Sequence, residues 1–416
     1  MSTQQKQTDL CIPESEFRWR VEKVRDFVKE NSLGGLLAYS GPRAHMWYQT
    51  GHVGWLTNWA NRDRVCDSMV LVPAEGDPVL LFSGLPYMLP QIKEVSWMKD
   101  YRIVRSADPN AVAIAPGSKP TSSGEVRDFT GEVVGILTER GLGEKSVGLV
   151  GIENMPVPFY EALLKGLGVK RLRVVEDIIA RFRAVKSPNE LKLMRRAAEL
   201  SDLGYETFIK AAKPGMPGIE AIAETERAVR AQGGEDVLYW IANVPDGHWD
   251  ESIIDVKATP RILNYGDQIA MCSYVTYKGY WAHCHRCGSL GREAEEMKRI
   301  WEPGFEAQCA AVDKMRPGTP VSEVVRAARL VAEKHSYALH GGRIGHGIGI
   351  DYGEQPFLSE ANQTPLEKGN VAIVHTGFSL PGKGTISLPV GDLCHVTDDG
   401  PELLYHFPRR PFLASG

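Results

Sequence analysis

The 416-residue chain lacks several features, and each absence narrows what it can do. No apolar run approaches the roughly 18 residues needed to span a bilayer. The opening MSTQQKQTDLCIPESEFRW is polar and holds no apolar signal core, so a cytoplasmic protein is expected. Basic excess is missing too. Lys and Arg total 48 against 52 Asp and Glu, a net charge of −4, which provides no polybasic surface for nucleic acid or for a membrane. Cysteines number seven, an odd count in a long chain, which argues against a disulfide framework. Cys284 and Cys287 form a CxxC with no second pair, so a structural zinc ribbon is not expected. A small-molecule substrate is the partner class that remains.

What stands out is GDQIAMCSYVTYKGYWAHCHRCGSL, residues 266–290. It reads as two short strands, Gln268–Tyr274 and Gly279–Cys287, joined by a turn. His283, His285 and Cys287 occupy alternate positions of the second strand and so share one face. Three groups able to bind metal or move protons are too dense for a routine core strand.

Upstream, apolar spacing predicts a helix over 17–31, followed by a buried strand at Gly34–Tyr39. Ser68–Pro73 and Pro78–Ser83 read as a strand pair, and 106–124 as an irregular loop. Helices at 124–140 and 156–166 alternate with strands at 146–151 and 172–174, the pattern of an α/β domain. Ser187-Pro188-Asn189-Glu190 then predicts a capping box that opens a helix running to about Ala212. From here the order is a helix pair followed by strands, and it occurs twice, around 188–290 and 292–396. Two domains are expected: an α/β unit over 1–183 and an α+β unit over 184–416.

The stretches RAVKSPNELKLMRRAAELSD, KPGMP, NYGDQIAM, YKGYWAHCHR, GHGIGIDYGEQPFLS and LEKGNVAIVHTGFSLPG together resemble the creatinase/aminopeptidase P family. That resemblance implies the pita-bread fold for the C-terminal domain and a homodimer. It also implies two divalent metals held by two Asp, one His and two Glu. Only the His is kept, as His346. The Asp positions fall on Cys272 and His283, and the first Glu falls on His375. The second Glu falls on or beside Gly391, with Asp392 next to it. A standard dinuclear Xaa-Pro peptidase centre is therefore not expected.

Two chemical readings remain open. In one, Cys272, His283, His346 and His375 hold a single transition metal (zinc, iron or manganese), because imidazole and thiolate suit such ions better than magnesium. In the other, the pocket works without metal, as the resemblance implies for the creatinase branch. The catalytic groups would then be Asp255, His285 and His375, with imidazoles as acid or base. Resemblance also gives Arg64, or its neighbour Arg62, the task of binding a substrate carboxylate, for which a guanidinium is suited. Trp240 belongs to a tryptophan set that can stack on a substrate. Arg286 is expected to be structural, pairing with an acid such as Asp392. The function expected is hydrolysis of a C–N bond in a small non-peptide metabolite. A lyase in the same pocket and a catalytically silent binding protein are the alternatives.

Overall fold

The computed structural model describes residues 10–41, 51–59, 67–83, 89–104, 129–248, 260–339, 343–379, 386–387 and 390–414. Two compact units emerge. One comprises Cys11–Arg183 with the short segment Ile350–Gly353, and the other is built on Ala184–Gly349 and Glu354–Gly416.

The first unit is a mixed α/β sheet. Its strands are β1 (Gly35–Ser40), β2 (Ser68–Pro73), β3 (Val79–Ser83), β4 (Asp100–Val104), β5 (Val147–Val150) and β6 (Leu172–Val174). They run in the order β4-β3-β2-β1-β5-β6. β1, β2, β3 and β5 are buried along their whole length, which explains their continuous apolar sequence. The loop expected over 106–124 lies outside the described residues.

The second unit carries the site. Ser187 caps its first helix, Pro188–Ala211, as the sequence predicts: Glu190 N–H donates to Ser187 Oγ at 3.1 Å, and Ser187 N–H donates to a Glu190 carboxylate oxygen at 2.8 Å. Helix Gly218–Ala231 follows, then β7 (Val237–Pro245), β8 (Asp267–Tyr277) and β9 (Tyr280–Leu290). Helices Glu295–Asp313 and Val321–Lys334 precede β10 (Ala338–Leu339), β11 (Arg343–Gly347), β12 (Glu354–Ser359), β13 (Val371–His375), β14 (Phe378–Ser379) and β15 (Ile386–Ser387). Then come β16 (Gly391–Thr397), β17 (Gly400–Leu403) and β18 (Phe412–Ala414). The helix-pair-then-strands order is thus present twice. The main sheet runs β12-β11-β13-β16-β9-β8-β7. Its mostly antiparallel pairing gives the half-barrel of a pita-bread domain.

The β8–β9 pair is longer than its sequence suggests, with eleven residues in each strand. Lys278 and Gly279 both have positive φ, 47° and 82°, and form the two-residue turn. That turn fixes the register: Tyr277 faces Tyr280, Tyr274 faces His283 and Cys272 faces His285.

Candidate active site

Five neighbouring strands of the main sheet supply the site: β11, β13, β16, β9 and β8. His346 comes from β11 and His375 from β13. Gly391 opens β16, β9 brings His283 and His285, and β8 brings Cys272. Strand alternation turns these side chains to one face. Cys272, His283, His285 and His346 are buried, whereas His375 is half-buried and is the member nearest solvent.

Ring nitrogens of His283, His285 and His375 all lie within 4.8 Å of one another. Ring centroids are 4.5 Å apart for His283 and His285, 5.0 Å for His285 and His375, and 5.9 Å for His283 and His375. His346 stands across from His283, nearly parallel at 6.5 Å, and 6.0 Å from His375.

Hydrogen bonds determine which nitrogen of each ring carries a proton. Burial pushes the pKa of His283 and of His285 well below the usual imidazole range, and the neighbouring imidazoles add to the shift. His346 falls to about 3, mainly by burial. His375 falls to about 4, by burial and then by the charge of Arg343. All four are therefore neutral at pH 7. A carbonyl oxygen only accepts, so His283 Nδ1–H donates to Ser273 O at 2.9 Å, and its Nε2 carries the lone pair. That nitrogen accepts from His285 Nε2–H at 2.8 Å. His285 Nδ1 in turn accepts from the Cys272 thiol at 2.9 Å. His346 Nδ1–H donates to Gly347 O at 2.9 Å, which leaves its Nε2 as a lone pair.

Cys272, which the sequence suggests as a metal ligand, is thus committed to His285. Burial holds its thiol well above the usual pKa, in the neutral form. His285 stands with His283 and His375 in its place. A two-residue turn between Tyr277 and Tyr280 would have shown this pairing from sequence, because the register follows from the turn.

The donor set suits one transition ion. Three neutral imidazoles converge, and among the described residues no carboxylate joins them. Asp392 is not available: it accepts from Arg286 Nη2 at 2.6 Å, Gln308 Nε2 at 3.0 Å and Arg409 Nε at 3.1 Å. Gly391 stands across from His285, and a Cβ there would lie 2.9 Å from both His285 Cδ2 and His375 Cβ. The imidazole of His285 therefore fills the space that a side chain at 391 would need. With no acidic bridge, two dications have nothing to hold them together.

Below the site, Arg286 is structural, as expected. Its Nη1 donates to the carbonyls of both His285 and Gly391 at 2.9 Å, tying β9 to β16. Tyr274, which the sequence reading missed, stacks on His283 at 4.4 Å, and half-buried Trp240 leans on Tyr274 at 4.5 Å. Its signal was its position two residues beyond Cys272, on the same face. Cys284 and Cys287 are both buried and unpaired to each other on opposite faces of β9, with Cys287 packed among Ala242, Val244 and Ala270. Asp255, Arg62 and Arg64 lie outside the described residues.

Residues 192–398 match the model of metallopeptidase family M24. The chain belongs to that family, the creatinase/aminopeptidase P group. An uncharacterized peptidase of Staphylococcus aureus is 27% identical over 289 residues, covering 68% of this chain and 81% of its own. The Xaa-Pro dipeptidase of Pyrococcus horikoshii is 26% identical over 269 residues, 64% of this M24 chain and 75% of its own. The prolidase structure from Pyrococcus horikoshii OT3 superposes with a TM-score of 0.75, at 22% identity, over 95% of this chain and 100% of that one. At that identity the likeness shows the fold alone. No helix among the described residues is long and apolar enough to cross a membrane.

Proposed function

We propose that this M24 member hydrolyses a C–N bond of a small non-peptide metabolite, at a site where His283, His285 and His375 hold one transition metal. The convergence of their nitrogens within 4.8 Å, without any carboxylate among the described donors, supports this reading. Neutral imidazole is the ligand form, so burial prepares the three for a cation. His285 would turn its ring protons around, donating Nδ1–H to Cys272 Sγ and presenting Nε2. When bound, the ion supplies Lewis acidity to the attacking water and to the substrate's carbonyl or amidine group. His346, with Nδ1–H fixed by Gly347 O, offers Nε2 as the base. It takes a proton from water as the C–O bond forms. It returns that proton to the nitrogen that leaves as the C–N bond breaks.

A metal-free reading is favoured by one distance. The 2.8 Å between His283 Nε2 and His285 Nε2 is a hydrogen bond, whereas two imidazoles on one tetrahedral ion sit ~3.3 Å apart. In that reading the chain Cys272–His285–His283 relays protons.

A turnover screen over small amides, ureas, guanidino acids and Xaa-Pro dipeptides tests the proposal. Turnover of a non-peptide compound, abolished in a folded His346→Ala variant, is expected. Turnover of Xaa-Pro dipeptides alone, or wild-type rates in His346→Ala, would remove it.

A further inference from the structure

On the opposite face of β9 from the histidines, helix Pro188–Ala211 buries an acid, Asp202, with which no cation forms an ion pair among the described residues. Its Oδ2 accepts the His406 N–H at 2.8 Å, with the Phe407 N–H beside it. Its Oδ1 meets no donor. Arg286 acts on the carboxyl through its charge but has no N–H left to give. Its donors go to Pro408 O, His285 O, Gly391 O, Asp392 Oδ1 and Phe407 O, which exhausts a guanidinium. Tyr239 of β7, Cys284 of β9 and Tyr405 also face Asp202, all buried and none of them a cation. The remaining titratable neighbour, His406, is exposed.

A buried carboxylate held only by backbone amides is costly to ionise. Burial accordingly raises the Asp202 pKa to about 6. The cover over it is thin. Leu404–Arg409 joins β17 to β18 without regular structure, and its His406 and Pro408 are exposed. The helix beneath is capped and long, and β9 is buried along its whole length. Water therefore reaches the carboxyl most cheaply when the segment lifts, not when the helix or the strand moves. Two contacts hold the segment down: Phe407 stacks on Tyr205 at 5.2 Å, and the carbonyls of Phe407 and Pro408 accept from Arg286.

We propose that Leu404–Arg409 is a pH-gated latch on the back of the sheet, closed while the Asp202 carboxyl is protonated and loosened once that group ionises. Arg286 also holds the carbonyls of His285 and Gly391, so the latch bears on the strands that carry the histidine site. The closed form binds the Asp202 proton more tightly than a solvated carboxyl, whose pKa is about 4. Closure is therefore firm in acid, weakens as the pH rises from about 4 to about 6, and stays level above that.

Hydrogen exchange of the full chain, read by mass spectrometry and corrected for the intrinsic rate at each pH, tests this without requiring turnover. Protection of the peptide carrying His406 and Phe407 should fall about tenfold between about pH 5 and about pH 7.5, while peptides from helix Pro188–Ala211 and β9 keep theirs. Asp202→Asn retains a carbonyl acceptor for the His406 N–H and cannot ionise, so its protection should be level over that range. His406→Gln should keep the fall, because the exposed imidazole is not the sensor. Level protection in the wild-type protein, a fall spread evenly over the chain, a fall that survives in folded Asp202→Asn, or one lost in His406→Gln overturns the proposal. If Asp202→Asn does not fold, carbon-13 titration of the wild-type Asp202 carboxyl decides: a midpoint near about 6 supports the latch, and one near about 4 overturns it.

Discussion

Cys272 illustrates how much one residue's role depends on its partner. Its identity marks a changed position in the family pattern, and from sequence a thiol beside histidines reads as a metal ligand. In the fold its Sγ lies 2.9 Å from His285 Nδ1, buried and neutral. In the site proposed here its role is to orient His285 rather than to bind the ion. Cys272→Ser keeps at that place a hydroxyl able to accept from His285 Nδ1–H and should preserve metal content, with activity within a few-fold. Cys272→Ala removes the partner and should cost about 10–100-fold in activity or metal affinity, as loss of a residue supporting a metal ligand commonly does. Complete loss of metal in Cys272→Ser, measured by elemental analysis, would show direct ligation. That the four histidines converge was legible in the sequence, for His283 and His285 by strand alternation and for His346 and His375 by the family resemblance. Their proton placement was not, since it depends on carbonyls such as Ser273 O and Gly347 O that only the fold brings near.

At the scale of the strand, β9 and β16 fit each other by packing. His285 and Gly391 are cross-strand partners, and the imidazole occupies the space next to the bare backbone. Overfilling a packed site costs about 1–3 kcal/mol. Gly391→Ala should therefore lower stability by that order, and His285→Ala should relieve only the part due to the imidazole, since His375 Cβ would still lie 2.9 Å away. A double-mutant cycle of unfolding free energies should give a coupling of at least ~1 kcal/mol. Additive effects would mean that the two positions are independent. The strands themselves were readable from their apolar and alternating sequence. The underestimate of β8 and β9 has a local cause: Val275, Thr276 and Tyr277 pair beyond the expected end because the turn takes only Lys278 and Gly279. The register shift in β11 between Arg343 and Gly345 was not readable at all. Arg343-Ile344-Gly345-His346 alternates smoothly as a sequence, and only the core position of Ile344 reveals the shift.

At the scale of the molecule, the family motifs mark the pita-bread unit in the sequence. Two features escaped that reading. Ile350–Gly353, which falls between β11 and β12 in sequence, belongs to the first unit, where Asp351 pairs with buried Arg183 at 2.5 Å and accepts from Gly51 N at 3.0 Å. Sequence order cannot announce such a return. Nor could it show that Asp392, the one acid beside the missing glutamate, is satisfied by Arg286, Gln308 and Arg409. With that acid committed and His285 filling the space at Gly391, the described residues offer no acidic bridge for a dinuclear centre.

The number of metal ions per chain tests this account most directly. Elemental analysis of protein purified without an affinity tag should give about one equivalent of a transition metal. In folded His283→Ala and His375→Ala variants the metal should fall away. Two equivalents in the wild-type protein, or less than about a tenth of an equivalent with turnover intact in chelator, would contradict it.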